Sequence, residues 1–138
     1  MGTYLNPGNK GFYESIHSRI YVDKTALIDN TNMVLNTRQK FICISRPRRF
    51  GKFMAADMLA AYYDRSVDSS ALFDTFVISK CASYRMHLNQ YDVIKVNMQE
   101  FLSATHSVSE MLDRMSRFLI YDLTEHFIVI RYRDEGNL

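Results

Sequence analysis

The chain has 138 residues, of which 47% are hydrophobic and 13% aromatic, a composition typical of a globular protein with a real core and not of a disordered chain. The 17 basic and 15 acidic residues leave a net charge of only +2, so the chain as a whole is not predicted to be a general polyanion binder. Its two cysteines give no disulfide framework, and the lack of a secretory signal or a long apolar run predicts a cytoplasmic protein without a membrane span.

The first forty residues are predicted to begin with a turn and to continue with two short helices. The turn is expected at residues 6–11, which read N-P-G-N-K-G, because glycine, proline and asparagine favour turns. Apolar spacing predicts the helices at residues 12–20 and 23–31. In the second helix we expect Thr25 and Asp29 to face outward.

A strand, a basic loop and a helix are predicted next. Residues 41–45 read F-I-C-I-S, a continuous apolar run of the kind found in parallel strands that helices cover on both faces. Residues 53–64 are predicted to form a helix with one apolar stripe: Met54, Met58, Ala61 and Tyr62. Between them lies R-P-R-R-F-G-K at residues 46–52. A strand, a tight turn and a helix N-terminus form the arrangement that binds phosphate groups.

The loop matches one end of the general phosphate-loop pattern G-x-x-x-x-G-K-[ST]. Gly51 and Lys52 stand at the last glycine and the lysine of the pattern. In such loops the glycine lets the backbone approach the phosphates, and the lysine side chain reaches the β- and γ-phosphates. Arg46 stands at the first glycine position, and Phe53 stands where a hydroxyl would bind magnesium. Two of the four fixed positions of the general pattern are therefore matched, and its two ends are not.

The second half of the chain is predicted to supply a further strand and a long helix. The strand is expected at residues 93–97, and the helix begins at Ser107, which forms a capping box with Glu110. Apolar residues then recur at helical spacing and predict a core-directed face: Val108, Met111, Leu112, Met115, Phe118 and Leu119. The alternation of strands and helices predicts an α/β three-layer fold with a mostly parallel sheet. A ligand would bind at the carboxyl ends of its strands.

Two strings resemble a known family. Residues 45–52, S-R-P-R-R-F-G-K, resemble the S-R-P-R-R-F-G-K-S signature of the bacterial AAA-ATPase-like family, and residues 21–28 resemble its Y-V-D-K-T-x-L-I segment. The resemblance extends over roughly the first hundred residues and implies a P-loop NTPase-like fold that binds ATP. It also implies one incomplete, truncated domain over residues 1–138, with an N-terminal segment (1–40), the loop strand and helix (41–64) and a remainder (65–138).

The resemblance implies a cofactor-binding set and also shows two departures. The set comprises Arg48, Arg49, Phe50, Gly51, Lys52 and Phe53. Phe53 replaces the family's serine, so magnesium coordination is in doubt, because that ion prefers oxygen ligands. The family's acidic strand, I-D-E-Y-D, has no counterpart, since Asp134 and Glu135 stand too far behind the apolar run that ends at Ile130. We expect ATP binding without hydrolysis by this chain alone, and assign no catalytic residue and no metal ligand.

Two other functions compete with nucleotide binding. A non-catalytic protein could associate with itself or with full-length relatives through exposed sheet edges. A nucleic-acid binder would use Arg46, Arg48 and Arg49, but the chain lacks the wider basic surface that such binding needs. Asp23 and Lys24 are interpreted as an ion pair that stabilises the N-terminal segment. The four histidines and two cysteines have no metal-ligand spacing.

Overall fold

The structure, a computed structural model, describes residues 2–45 and 51–126. These residues form α-helices and one 3₁₀ helix, Val77–Lys80. The α-helices are α1 (Lys10–Ile16), α2 (Ala26–Val34), α3 (Lys52–Tyr63), α4 (Ser70–Phe73), α5 (Tyr84–His87), α6 (Met98–Ser103) and α7 (Val108–His126). The chain divides into two compact units, one of Gly8–Val93 and the other of Met1–Pro7 with Ile94–Leu138.

The predicted P-loop NTPase-like three-layer fold with a mostly parallel sheet is wrong for this structure. Within residues 2–45 and 51–126 there is no β-strand, and β-pairing is limited to isolated bridges, Leu5 with Ile94 and Asp64 with Tyr91. The predicted buried strand at 41–45 is irregular and exposed throughout. A strand is held by hydrogen bonds and side-chain pairs with a neighbouring strand. The described part of the chain offers 41–45 no such neighbour, so its apolar composition alone does not produce a strand.

The second predicted strand, residues 93–97, is reduced to a short contact within the smaller unit. Ile94 bridges to Leu5 in antiparallel orientation. The N–H of Lys95 donates to the carbonyl of Tyr4 at 2.9 Å. These contacts join the start of the chain to the segment before α6, but they do not extend into a ladder.

The helix predicted at residues 53–64 forms as α3, which carries the core of the larger unit. Its stripe residues Met58, Ala61 and Tyr62 are buried, whereas Met54 is 38% exposed. The helix packs against α1 and not against a sheet. The buried ring of Phe12, on α1, stacks on Phe73 with centroids 4.6 Å apart. Aromatic burial therefore provides the layer on which α3 rests.

Buried hydroxyl groups tie α2, α3 and α5 together. The hydroxyl of Tyr62 donates to the carbonyl of Tyr84 at 2.7 Å and accepts from the side-chain amide of Asn32 at 3.0 Å. The hydroxyl of Tyr63 donates to the amide oxygen of Asn32 at 2.6 Å. Burial raises the pKa of Tyr62 to about 12. The phenol therefore stays protonated and keeps donating at neutral pH.

In the smaller unit, the predicted cap of α7 forms with one of its two hydrogen bonds made to a different residue. Ser107 Oγ accepts from the N–H of Glu110 at 3.1 Å, as the capping box requires, but the Glu110 carboxylate accepts from the N–H of His106 at 3.2 Å. The predicted core face of α7 is confirmed in part, and Met115 and Leu119 are half-buried. Met111 is buried, whereas Val108 is 63% and Leu112 45% exposed. Helix α6 packs against only part of that face.

A buried carboxylate near the end of α7 holds the first residues of the chain. Asp122 accepts backbone hydrogen bonds from Thr3, Tyr4 and Leu5, at 3.2, 2.9 and 2.7 Å. A β-carbon on Gly2 would lie 2.6 Å from both carboxylate oxygens. Since a carboxylate is a strong acceptor for backbone N–H groups, Asp122 fixes this segment on α7.

Candidate functional site

Helix α3 begins at a glycine with a backbone conformation that favours glycine. Gly51 is the N-cap residue, with φ 78° and ψ 25° in the left-handed region, which a side chain disfavours. The first backbone N–H groups of a helix have no partner inside the helix, and they give its N-terminus a partial positive charge. The start of α3 therefore presents donors and positive potential beside a residue that has no side chain to cover them.

A lysine from the other family-like string lies beside this glycine. The ammonium nitrogen of Lys24 is 3.0 Å from the position that a β-carbon on Gly51 would occupy. Lys24 belongs to Y-V-D-K-T at residues 21–25, whereas Gly51 ends the basic loop. The structure therefore brings together the two motifs that carry the family resemblance.

Neighbouring side chains anchor the backbone on both sides of Lys24. The carboxylate of Asp23 accepts from the N–H and hydroxyl of Thr25, at 2.8 and 2.7 Å, and from the N–H of Val77 at 2.9 Å. Thr25, predicted to face outward, is instead fully buried, and its hydroxyl oxygen accepts from the N–H of Ile78 at 3.2 Å. The flanking residues of Lys24 are thus tied to the 3₁₀ helix.

The same hydrogen bonds set the charge state of Asp23. Partial burial acts to raise the pKa of this carboxyl, but the hydrogen bonds from Thr25 and Val77 outweigh burial and hold the pKa below its ordinary value. Asp23 is therefore a stable anion whose described contacts maintain the local turn. The ion pair of Asp23 with Lys24 stays a prediction, and the described contacts of Asp23 are with Thr25 and Val77.

Two open clefts meet at Gly51. The larger, of about 420 Å³, has the polar side chains of Lys24, Asn30 and Lys52 on its walls. The smaller, of about 290 Å³, is more apolar and is lined in part by Val22 and Met58. No carboxylate is among the described residues that line either cleft. A cationic cleft joined to an apolar one suits a ligand with an anionic end and an apolar end.

The structure places some of the predicted site residues and not others. Gly51, Lys52 and Phe53 lie together at the start of α3, and the exposed Lys52 lines the larger cleft. Phe53 is 62% exposed and its ring offers no oxygen to a metal ion. Arg48, Arg49 and Phe50 lie outside the described residues, as does Arg46.

Two residues that line the clefts, Lys24 and Asn30, are not assigned to a binding site by the sequence. The sequence indicates an ion pair for Lys24, and its place inside the Y-V-D-K-T string is the feature that distinguishes it. Asn30 carries no sequence feature that could have pointed to the cleft.

Within residues 2–45 and 51–126, no cluster of three or more His, Cys, Asp or Glu side chains could hold a metal ion. In the same residues, no helix combines the length and the apolar character needed to cross a bilayer.

Comparison with known protein families gives a match over most of the chain. A family model described as predicted AAA-ATPase matches residues 11–135, a range that contains both family-like strings and extends beyond the roughly hundred residues over which the resemblance was expected. Comparison with curated proteins and with solved structures found no match.

Proposed function

Because this chain belongs to the predicted AAA-ATPase family, we propose that it binds a nucleotide, ATP, with the phosphates at the start of α3. The observation that carries the proposal is the left-handed Gly51 at the N-cap of this twelve-residue helix, with Lys52 directly after it. Unpaired N–H groups and the helix dipole favour an anion at such a position. The ammonium group of Lys52 adds a full positive charge on the wall of the larger cleft.

The smaller cleft is the proposed binding place for the purine base of the nucleotide. It opens beside the same glycine, and its walls include the apolar side chains of Val22, Met54 and Met58. Mostly apolar walls with a small number of polar groups are typical of pockets that bind small molecules. In the proposed complex, the purine lies in the smaller cleft and the phosphates lie toward Lys52.

We propose binding without hydrolysis by this chain alone. Magnesium coordination calls for oxygen ligands, and the residue after Lys52 is Phe53, whose exposed side chain is a hydrocarbon ring. The donor set at the start of α3 therefore does not fit the ion. Without a positioned cation, the charge that develops on a transferring phosphoryl group loses one of its main sources of stabilisation.

The test is calorimetric titration of the full chain with ATP, with and without magnesium. We expect wild-type protein to bind, and Lys52→Ala to raise the Kd by roughly tenfold or more, the usual effect of losing a hydrogen bond to a charged group. Lys80→Ala is the matched control, because Lys80 is exposed and lines neither cleft. If the folded wild-type chain shows no heat of binding with ATP, the proposal fails.

Association is a second candidate, favoured by one observation. The apolar run at 41–45 is uncovered, with Phe41 87%, Ile42 49% and Ile44 43% exposed. Contiguous exposed apolar side chains commonly mark interaction surfaces. Sedimentation of the wild type beside a Phe41→Ser/Ile44→Ser variant tests this function. Concentration-dependent oligomers lost in the variant would support it, and a monomer at every concentration would reject it.

A further inference from the structure

We propose that Lys24 is a second phosphate-contacting residue of this site and reaches the nucleotide from the segment before α2. The inference rests on the proposed nucleotide binding and adds a residue to it. Its starting point is the 3.0 Å distance between the Lys24 ammonium nitrogen and the β-carbon position of Gly51. Lys24 also lines both clefts that meet at this glycine.

The geometry places two ammonium groups around one helix N-terminus. Lys52 belongs to α3, whereas Lys24 comes from a segment that precedes it by a helix and a loop. Both line the larger cleft, and the first N–H groups of α3 complete the positive surroundings of the space between them. An anion with several oxygens can accept from these donors at once.

The anchoring of residues 23–25 gives Lys24 a defined starting point. Asp23 and Thr25 are tied to the 3₁₀ helix through the N–H groups of Val77 and Ile78. The backbone of Lys24 lies between these two anchored residues, so a ligand would not need to order the backbone at this position. Smaller ordering costs leave more of the interaction energy for binding.

The phosphate end of the ligand suits Lys24 better than the base. The ammonium group is a compact, strongly charged donor, and its described position is next to the glycine at the helix start. A point charge of this kind is a common phosphate ligand. Lys24 also lines the smaller cleft, but the other walls there include the apolar side chains of Val22 and Met58, so the phosphates are the better partner for a charged group.

The experiment compares ligands that differ in phosphate number. The full chain is titrated with ATP, ADP, AMP and adenosine as wild type, Lys24→Met, Lys24→Arg and Lys80→Ala. Methionine keeps most of the stem and removes the charge, so we expect the Kd for ATP to rise roughly tenfold to a hundredfold. Adenosine affinity should stay within about twofold, Lys24→Arg should retain most ATP affinity, and Lys80→Ala should match the wild type.

Three outcomes overturn the inference in distinguishable ways. Unchanged ATP affinity in folded Lys24→Met, with binding lost in Lys52→Ala, rejects Lys24 and leaves the proposed function in place. An equal loss for ATP and adenosine shows that Lys24 acts on the base or on the fold. No binding of ATP by wild type rejects both proposals together. Circular dichroism without nucleotide checks each variant, and Lys24→Gln replaces Lys24→Met if methionine prevents folding.

Discussion

The ammonium nitrogen of Lys24 lies 3.0 Å from the point at which a β-carbon on Gly51 would stand. Gly51 is constrained by its positive φ, and the ammonium group, at the far end of a flexible side chain, lies on its open side. The two residues come from different segments of the chain, and their meeting creates the common wall of the two clefts. This relationship makes the start of α3 sensitive to small substitutions.

Gly51→Ala should weaken both the fold and nucleotide binding. A left-handed conformation costs a residue with a side chain about 1–2 kcal/mol, and the new methyl group would also displace Lys24. We expect the free energy of unfolding to fall by about 1 kcal/mol or more, measured by urea denaturation. Combining Gly51→Ala with Lys24→Met separates the two effects, because the double variant keeps the backbone strain and removes the charged contact. Wild-type stability in Gly51→Ala would contradict the assigned conformation.

The Asp23 carboxylate should make stability depend on pH. Its pKa is lowered in the folded chain, whereas an unfolded aspartate titrates near about 3.9. A lowered folded pKa means that the stabilisation is present above the unfolded pKa and is lost as pH falls through the folded pKa. We expect Asp23→Asn to be less stable than wild type at pH 7 and the difference to shrink below about pH 4.

Denaturant titrations at neutral and acidic pH measure this effect. Asp113→Asn, an exposed position on α7, controls for the loss of one negative charge. If the two proteins, Asp23→Asn and wild type, instead differ in stability by the same amount at both pH values, the charge of Asp23 does not stabilise the turn.

Removal of the Asp122 carboxylate should release the start of the chain. The substitution Asp122→Ala leaves the N–H groups of Thr3, Tyr4 and Leu5 without the acceptor that they share. Hydrogen bonds to a charged group contribute about 1.5–3 kcal/mol each, so protection of these amides against hydrogen exchange should fall by at least tenfold. Asp113→Ala, exposed on the same helix, is the matched control. Unaltered exchange at all three amides would show that Asp122 does not hold the start of the chain.

Phe53→Ser should introduce magnesium dependence into ATP binding. We expect the wild type to bind ATP equally well with magnesium and with chelator, because the phenyl ring has no oxygen to offer the ion. The serine variant should bind more tightly with magnesium, by a few-fold in Kd measured by calorimetry. Phe53→Ala controls for removal of the ring without addition of an oxygen. If Phe53→Ser and Phe53→Ala respond to magnesium alike, the hydroxyl explanation is wrong.

Features that depend on neighbouring residues in the chain could be predicted from the sequence. Helix α3 follows from apolar residues at helical spacing, and the start of α7 follows from Ser107 accepting from the N–H of Glu110. Family membership follows from short strings of residues and is confirmed by the match over residues 11–135. Each of these features is local, because caps and helical periodicity act within one or two turns.

Features that require a distant partner could not be predicted in this way. The run at 41–45 has the composition of a buried strand, but strands depend on neighbours that the described residues do not supply. Thr25 is buried because its hydroxyl meets the N–H of Ile78. Lys24 lies beside Gly51 because the segment before α2 folds next to the start of α3. Composition sets what each side chain can do, whereas long-range packing sets which side chains meet.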